Sequence, residues 1–247
     1  MSLSHLRSYL ITAPLILLAT VALGTLSLMA SFFDRRGHLQ HRLARLWSRI
    51  LLLVCGVSVR VEGLEKLNPR SSYVFVANHA SYMDTPVVLG HIPVEFRFMA
   101  KKGLFLIPLL GWHLKRAGHL AVVRGDPRAS ARSMTEAARV IRKTGISVLV
   151  FAEGGRTPTG MREFREGAAY IAIKSGVPAV PLGVVGTRQV LPVGSGHLRG
   201  GPVILRVGDP VPTAHATLKD RSELTHLLRE RVLELLGEPI VKPQETR

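Results

Sequence analysis

Residues 72–86 read SYVFVANHASYMDTP, and this stretch decides the fold. The apolar run 73–77 has strand character; it passes directly into a polar turn, residues 78–84, and then into Thr85 and Pro86, which suit the opening of a helix. Working outward, short β-branched runs recur at 57–61, 95–100, 120–124, 147–151, 180–184 and 203–207, and helical patterns fill 129–143, 164–175 and 222–236. Strands interleaved with helices predict an α/β fold, a mostly buried mixed sheet flanked by helices. Functional residues of such sheets usually sit where strands end and loops begin.

His79 and Asp84 occupy such a place. On a regular helix a separation of five would set them about 140° apart, so they can meet only across a turn. If the chain folds back there, the Asp84 carboxylate bonds Nδ1 of His79 and leaves Nε2 to take a proton from an alcohol. Taken alone, the same two residues also suit a helix cap and a backbone-bonded imidazole. A second block, FAEGGRTPTG at 151–160, again comes directly after an apolar strand. Its glycines let the backbone approach a ligand, and Arg156 can grip phosphate oxygens with two parallel bonds. An ordinary turn with a surface ion pair between Arg156 and Glu163 is the plainer alternative. Two further features are Arg124, at the end of the run 120–124, and VPAVP at 177–181, entering a buried strand.

Upstream of the sheet the character changes. Residues 8–33 carry no charge, and the 25 residues from 9 to 33 would extend about 37 Å as a helix, against a hydrocarbon core of about 30 Å. A cleaved signal would have a shorter apolar region and a small-x-small site. A buried core helix would seldom go so long without charge, and Pro14 with Gly24 leaves a re-entrant hairpin open. In the adjoining segment, Leu39, Leu43, Leu46, Trp47, Ile50, Leu53 and Val54 repeat at helical spacing, with Arg42, Arg45 and Arg49 on another face. Such a basic amphipathic helix suits an anionic membrane surface, with Trp47 among the lipids, or a berth on the core with its basic face in water. Five arginines between 35 and 49, against Arg7 alone on the other side, favour a cytoplasmic position for the remainder of the chain. The expected organisation is a membrane-associated segment over 1–55, a catalytic domain over 56–237 and a loose tail over 238–247.

Composition agrees. The chain has 247 residues, 47% of them hydrophobic, and a formal charge of +16, with mean hydropathy +0.22, which excludes a disordered polyelectrolyte. With Cys55 as its one cysteine it can build neither a disulfide framework nor a cysteine-based zinc site. Residues 1–60 hold seven Lys and Arg against one acid, so the positive excess is heaviest beside the greasiest segment. The charge calls for anionic partners, and no finger or aromatic-rich sheet motif points to specific nucleic-acid binding.

Together, NHASYMD, the block ending at Arg124, FAEGGRT with FREGAAYIA, and VPAVP, in this order over roughly residues 56–210, resemble the lysophospholipid acyltransferase family, whose best-known members are the 1-acyl-glycerol-3-phosphate acyltransferases. The resemblance implies the glycerolipid acyltransferase fold. It implies that His79, oriented by Asp84, deprotonates the free sn-2 hydroxyl of a 1-acyl-glycerol-3-phosphate acceptor, which attacks the thioester carbonyl of acyl-CoA or acyl carrier protein to give phosphatidic acid. It further implies that Arg124 and Arg156 hold the acceptor phosphate, that Glu153 and Gly154 shape the same pocket, and that Lys101, or Lys102 in its place, assists. No metal or organic cofactor is expected, and no acyl-enzyme, because there is no Gly-x-Ser-x-Gly elbow. Ala152 and Gly155 stand where the family usually has Pro and Thr, which leaves open another lyso acceptor, such as a lyso-aminolipid or glycolipid, or a non-catalytic phospholipid-binding role.

Overall fold

The computed structural model describes residues 3–123 and 125–237. Arg124 and the tail expected from residue 238 lie outside the described residues.

The apolar N-terminus is helical throughout: α1 (Leu3–Arg7), a π-helical stretch (Ser8–Thr12) and α2 (Ala13–Ala30) succeed one another without interruption. Pro14, on the first turn of α2, cannot donate to the helix ladder, and the wide turn just before it absorbs the missing bond. The helix therefore continues through both Pro14 and Gly24 rather than folding back. Its span His5–Ala30 has 26 residues and a mean hydropathy of 2.0, long and apolar enough to cross a membrane.

α3 (His38–Val54) returns beside α2, and its apolar stripe is divided between protein and the outside. Its buried residues are Gln40, His41, Ser48, Leu51 and Leu52, whereas Leu39, Leu46 and Leu53 of the apolar stripe are exposed. The reason lies in what the body offers. Gly90 O accepts from Arg49 Nε (3.0 Å), Pro93 O faces Arg45, and His41 packs edge-on to Phe96. Trp47 donates from Nε1 to Thr20 Oγ1 of α2 at 3.0 Å. The hairpin is bolted to the body through Arg97, which is 2% exposed: it pairs with Glu95 (2.8 Å) and donates to Arg36 O (2.7 Å), while His38 Nδ1 meets Glu95 Oε2 at 2.6 Å.

Thereafter come β1 (Val57–Glu62), β2 (Val74–Ala77), α4 (Asp84–His91), β3 (Phe96–Lys101), α5 (Leu110–Arg116), β4 (Leu120–Val122), α6 (Pro127–Thr144), β5 (Ser147–Phe151), α7 (Gly167–Ser175), β6 (Ala179–Val185), α8 (Thr187–Val190), β7 (Gly201–Val207) and α9 (Arg221–Leu236). The described residues form a seven-stranded sheet in the order β1-β7-β6-β2-β5-β3-β4. All neighbours are parallel except β6 and β7, so the sheet is mixed.

Alternation of side chains divides the core between two faces. Phe75 and Ala77 of β2 join Phe96, Phe98 and Leu149 under α3 and α4, whereas Val74 and Val76 join Val148, Ala137, Ile141, Ala169 and Leu228 under α6, α7 and α9. β2 and β5 are neighbours whose onward connections part: β2 leads through α4 to β3 on one side, and β5 through α7 to β6 on the other. Such a switch point opens a crevice at the carboxyl ends of the strands.

Candidate active site

The turn after β2 does fold back. His79 Nδ1 and Asp84 Oδ2 are 2.9 Å apart, and the same oxygen accepts from the backbone N–H groups of Ala80 (2.7 Å) and Ser81 (2.8 Å). Asp84 is the first residue of α4, yet its carboxylate points back over the turn, so no cap competes for it. The Asp84 side chain is 0% exposed and that of His79 12%, which gives a buried orienting charge beneath an accessible ring. A carboxylate accepts, so the 2.9 Å contact suits a tautomer with the proton on Nδ1 and the lone pair on Nε2.

Three further residues steady the ring, the carboxylate behind it and the strand below. Thr187 Oγ1, just beyond β6, donates to Asp84 Oδ1 at 2.5 Å, satisfying the other carboxylate oxygen in full burial. Asn78 clamps β2 to β6: its Nδ2 donates to Val184 O (3.0 Å) and its Oδ1 accepts from Val184 N (2.8 Å). Phe151, at the end of β5, stacks on His79 with ring centroids 4.1 Å apart and planes 14° from parallel. A Gly-Thr pair closing a buried strand, as at Gly186 and Thr187, is the one sequence signal that could have flagged the hydroxyl.

The second block reaches the same turn. Glu153 Oε1 accepts from His79 N (2.6 Å) and Oε2 from Arg162 N (2.8 Å). Burial pushes its carboxyl above the usual range, against the pull of those two donors. Gly154 has φ +71°, a left-handed backbone that glycine adopts without strain, and the Arg165 side chain lies against it. The Arg156 guanidinium lies 3.3 Å from the centre of the Tyr82 ring, inside the first motif. Glu163, the alternative ion partner for Arg156, pairs with Arg229 at 2.9 Å. Lys101 closes β3 at the same sheet edge; it is exposed and makes no hydrogen bond or ion pair among the described residues.

His79, Asp84, Glu153, Gly154 and Arg156 thus converge where β2 and β5 end. Cys55 is 2% exposed in the core, and burial pushes its thiol up to about 11, so it supplies no thiolate near neutrality. Beside the stack, a cavity of about 470 Å³ lies between α2, α3 and the α4 and α5 side of the sheet. Leu17, Leu23, Leu89, Phe98 and Leu114 are among its walls, and Phe98 stacks in turn on Phe151 at 6.2 Å.

Comparison with known proteins gives a consistent answer. The family model described as Acyltransferase matches residues 58–185, just over half of the chain. A chloroplastic 1-acyl-sn-glycerol-3-phosphate acyltransferase of Brassica napus is 34% identical over 190 residues, covering 75% of this chain and 54% of the relative. A 1-acyl-sn-glycerol-3-phosphate acyltransferase of Chlamydomonas reinhardtii is 31% identical over 246 residues, 97% of this chain and 72% of the relative. The chain spans about half the length of the two chloroplastic relatives from Brassica napus and Arabidopsis thaliana. The crystal structure of the 1-acyl-sn-glycerophosphate acyltransferase PlsC from Thermotoga maritima superposes with a TM-score of 0.78 at 26% identity, covering 97% of this chain and all of that one. With both motifs meeting at one sheet edge and the fold shared from end to end, the chain belongs to the acyltransferase family.

Proposed function

We propose that the protein moves a fatty acyl group from an acyl thioester to the free sn-2 hydroxyl of 1-acyl-glycerol-3-phosphate. The observation that carries this reading is the His79–Asp84 pair, its Nε2 without a partner among the described residues, beside a glycine loop bearing Arg156. Nε2 removes the hydroxyl proton as the oxygen attacks the thioester carbonyl, and the imidazolium returns that proton to the departing thiolate as the tetrahedral intermediate collapses. Asp84 stays ionised throughout and stabilises the charged ring. Arg156, with Arg124 as the family resemblance implies, holds the acceptor phosphate, and Lys101 is nearby. Gly154 lets the loop approach, and Glu153 steadies it from below by accepting His79 N and Arg162 N.

The apolar cavity between the N-terminal helices and the sheet suits an acyl chain, having few polar groups to strip of water. Exposed Leu10, Leu18, Phe32, Phe33, Leu53 and Trp112 support membrane association. The arginine excess after α2 supports an active site on the cytoplasmic face. The names of the relatives support the acceptor, and acyl-CoA and acyl carrier protein both remain candidate donors.

The test is purified protein in mixed micelles with each thioester donor and a panel of lyso acceptors, read as free thiol released. Turnover greatest with lysophosphatidate is the expected result. Greater turnover with a lyso-aminolipid or glycolipid would shift the acceptor, a change for which Gly155 gives a reason. Lipid binding with no thiol release from any pair would refute catalysis.

A further inference from the structure

We infer that a second cleft, on the sheet face away from the N-terminal helices, seats the 4′-phosphopantetheine arm of the thioester donor. This rests on the acyl-transfer reading above. The cleft, about 410 Å³, opens between α6 and α7 at the carboxyl ends of β3, β4 and β5, with Met99, Met134 and Val150 among its walls. Neighbouring residues on a strand point to opposite faces. Phe98 accordingly borders the acyl cavity and Met99 the cleft. Phe151 borders the cleft, stacks on His79 and stacks on Phe98. One aromatic stack therefore touches both cavities and the base.

A thioester donor has a similar division: an acyl chain on one side of the carbonyl, a long arm ending in phosphate on the other. If the chain lies in the first cavity and the carbonyl at His79, the arm must leave toward a different space. The face under α2 and α3 is where a membrane-resident acceptor arrives. The face under α6 and α7 is left to the water-soluble part of the donor. Its chemistry fits. Apolar walls suit the dimethyl and methylene groups of the arm, and the rim carries one net positive charge, from Arg165. Arg165 lies against Gly154, exposed and without an ion pair among the described residues. The other arginine at the rim, Arg221, is matched by Glu166 at 2.7 Å. Phosphate would be drawn to the unmatched Arg165.

Coenzyme A and acyl carrier protein share this arm, so pantetheine 4′-phosphate is the probe. Two variants address the cleft: Ala131→Trp, which fills it from an exposed position on α6, and Arg165→Glu, which reverses a rim charge without touching the core. In wild type, pantetheine 4′-phosphate should bind by calorimetry and inhibit competitively against the donor. In each folded variant, the donor KM should rise about tenfold or more, the usual cost of losing a charged hydrogen bond, with the acceptor KM within twofold. A donor KM within twofold of wild type in both variants overturns the inference, as does a rise confined to the acceptor KM. Assays with each donor separate the sources: a rise with acyl-CoA alone, where acyl carrier protein is also used, would assign the cleft to the nucleotide and overturn the arm. Absence of thiol release in wild type would refute the activity reading, and calorimetry would still decide the cleft, since binding to wild type lost in Ala131→Trp needs no turnover.

Discussion

Replacing Asp84 by Asn separates charge from geometry at the proposed base. Three N–H donors, from His79 Nδ1, Ala80 and Ser81, converge on Oδ2, so the amide oxygen must take that place. The amide NH2 then faces Thr187 Oγ1, a hydroxyl that can rotate from donor to acceptor. The turn and the tautomer of His79 survive, and the cost to folding should stay within about 1–2 kcal/mol. What disappears is the attraction between carboxylate and imidazolium. With charge centres about 4 Å apart and an effective dielectric of about 20, that attraction is about 4 kcal/mol, or about three powers of ten in rate. Asp84→Asn should thus lower kcat about 10³-fold while acceptor and donor KM stay near wild type. The assay is steady-state thiol release, with circular dichroism and a melting curve to confirm the fold. A folded Asp84→Asn protein keeping more than a tenth of wild-type kcat would refute the assignment of Asp84 as the charge behind His79. Thr187→Val supplies the control: it strips Oδ1 of its partner and should cost about 1.5–3 kcal/mol of stability, with Thr187→Ser recovering most of it.

Arg156→Lys should raise the acceptor KM about tenfold, because an ammonium cannot reproduce both the stacking on Tyr82 and a two-bonded grip on phosphate; unchanged acceptor kinetics would count against phosphate binding there. His79→Ala should lower kcat by about 10² to 10⁴ with the fold intact, and near-normal turnover would remove it as the base. Acid should loosen the joint between the N-terminal hairpin and the body. Burial holds His41 and His113 down to about 4, and His119 is lowered too. Unfolded rings titrate near about 6.5, so the unfolded chain binds more protons between those values and stability falls as pH drops through them. At pH 5 the loss is about 2 kcal/mol per ring for His41 and His113, while the raised carboxyl of Glu153 works in the opposite direction. Melting curves at pH 7.5 and 5 read this directly, and equal midpoints would disprove it.

Much of this architecture could be read in advance because hydrophobic period and punctuation agree along the chain. The strand at 147–151 is found with its expected bounds, and the helices at 129–143 and 222–236 differ only by a residue or two at their ends. The site was legible where a motif is local: His79 and Asp84 lie in one turn, and Glu153, Gly154 and Arg156 in another. What brings those turns together is not local. Thr187 lies 103 residues from Asp84, and Asn78 is 106 from Val184, so neither segment names its partner, and the Gly186-Thr187 step is the one local hint. Period alone also could not say which side of α3 meets protein. The stripe of leucines is evident, but the polar Gln40, His41 and Ser48 are buried because Phe96 and the backbone around α4 are what the body presents to that helix. The short α5, rich in Gly, Trp and His, carries too few turns to show a period.

The divided setting of α3 bears on how the protein can be handled outside a bilayer. Trimming away residues 1–33 will not make the remainder water-soluble, because Leu39, Leu46 and Leu53 already face outward and Leu43 and Trp47 would lose the cover of α2. Trimming would also cost Trp47 its bond to Thr20 and His113 its bond to Ser27. A soluble form calls for the opposite edit: keep the first helix as the lid over that surface, and exchange its outward leucines, together with those of α3, for polar residues.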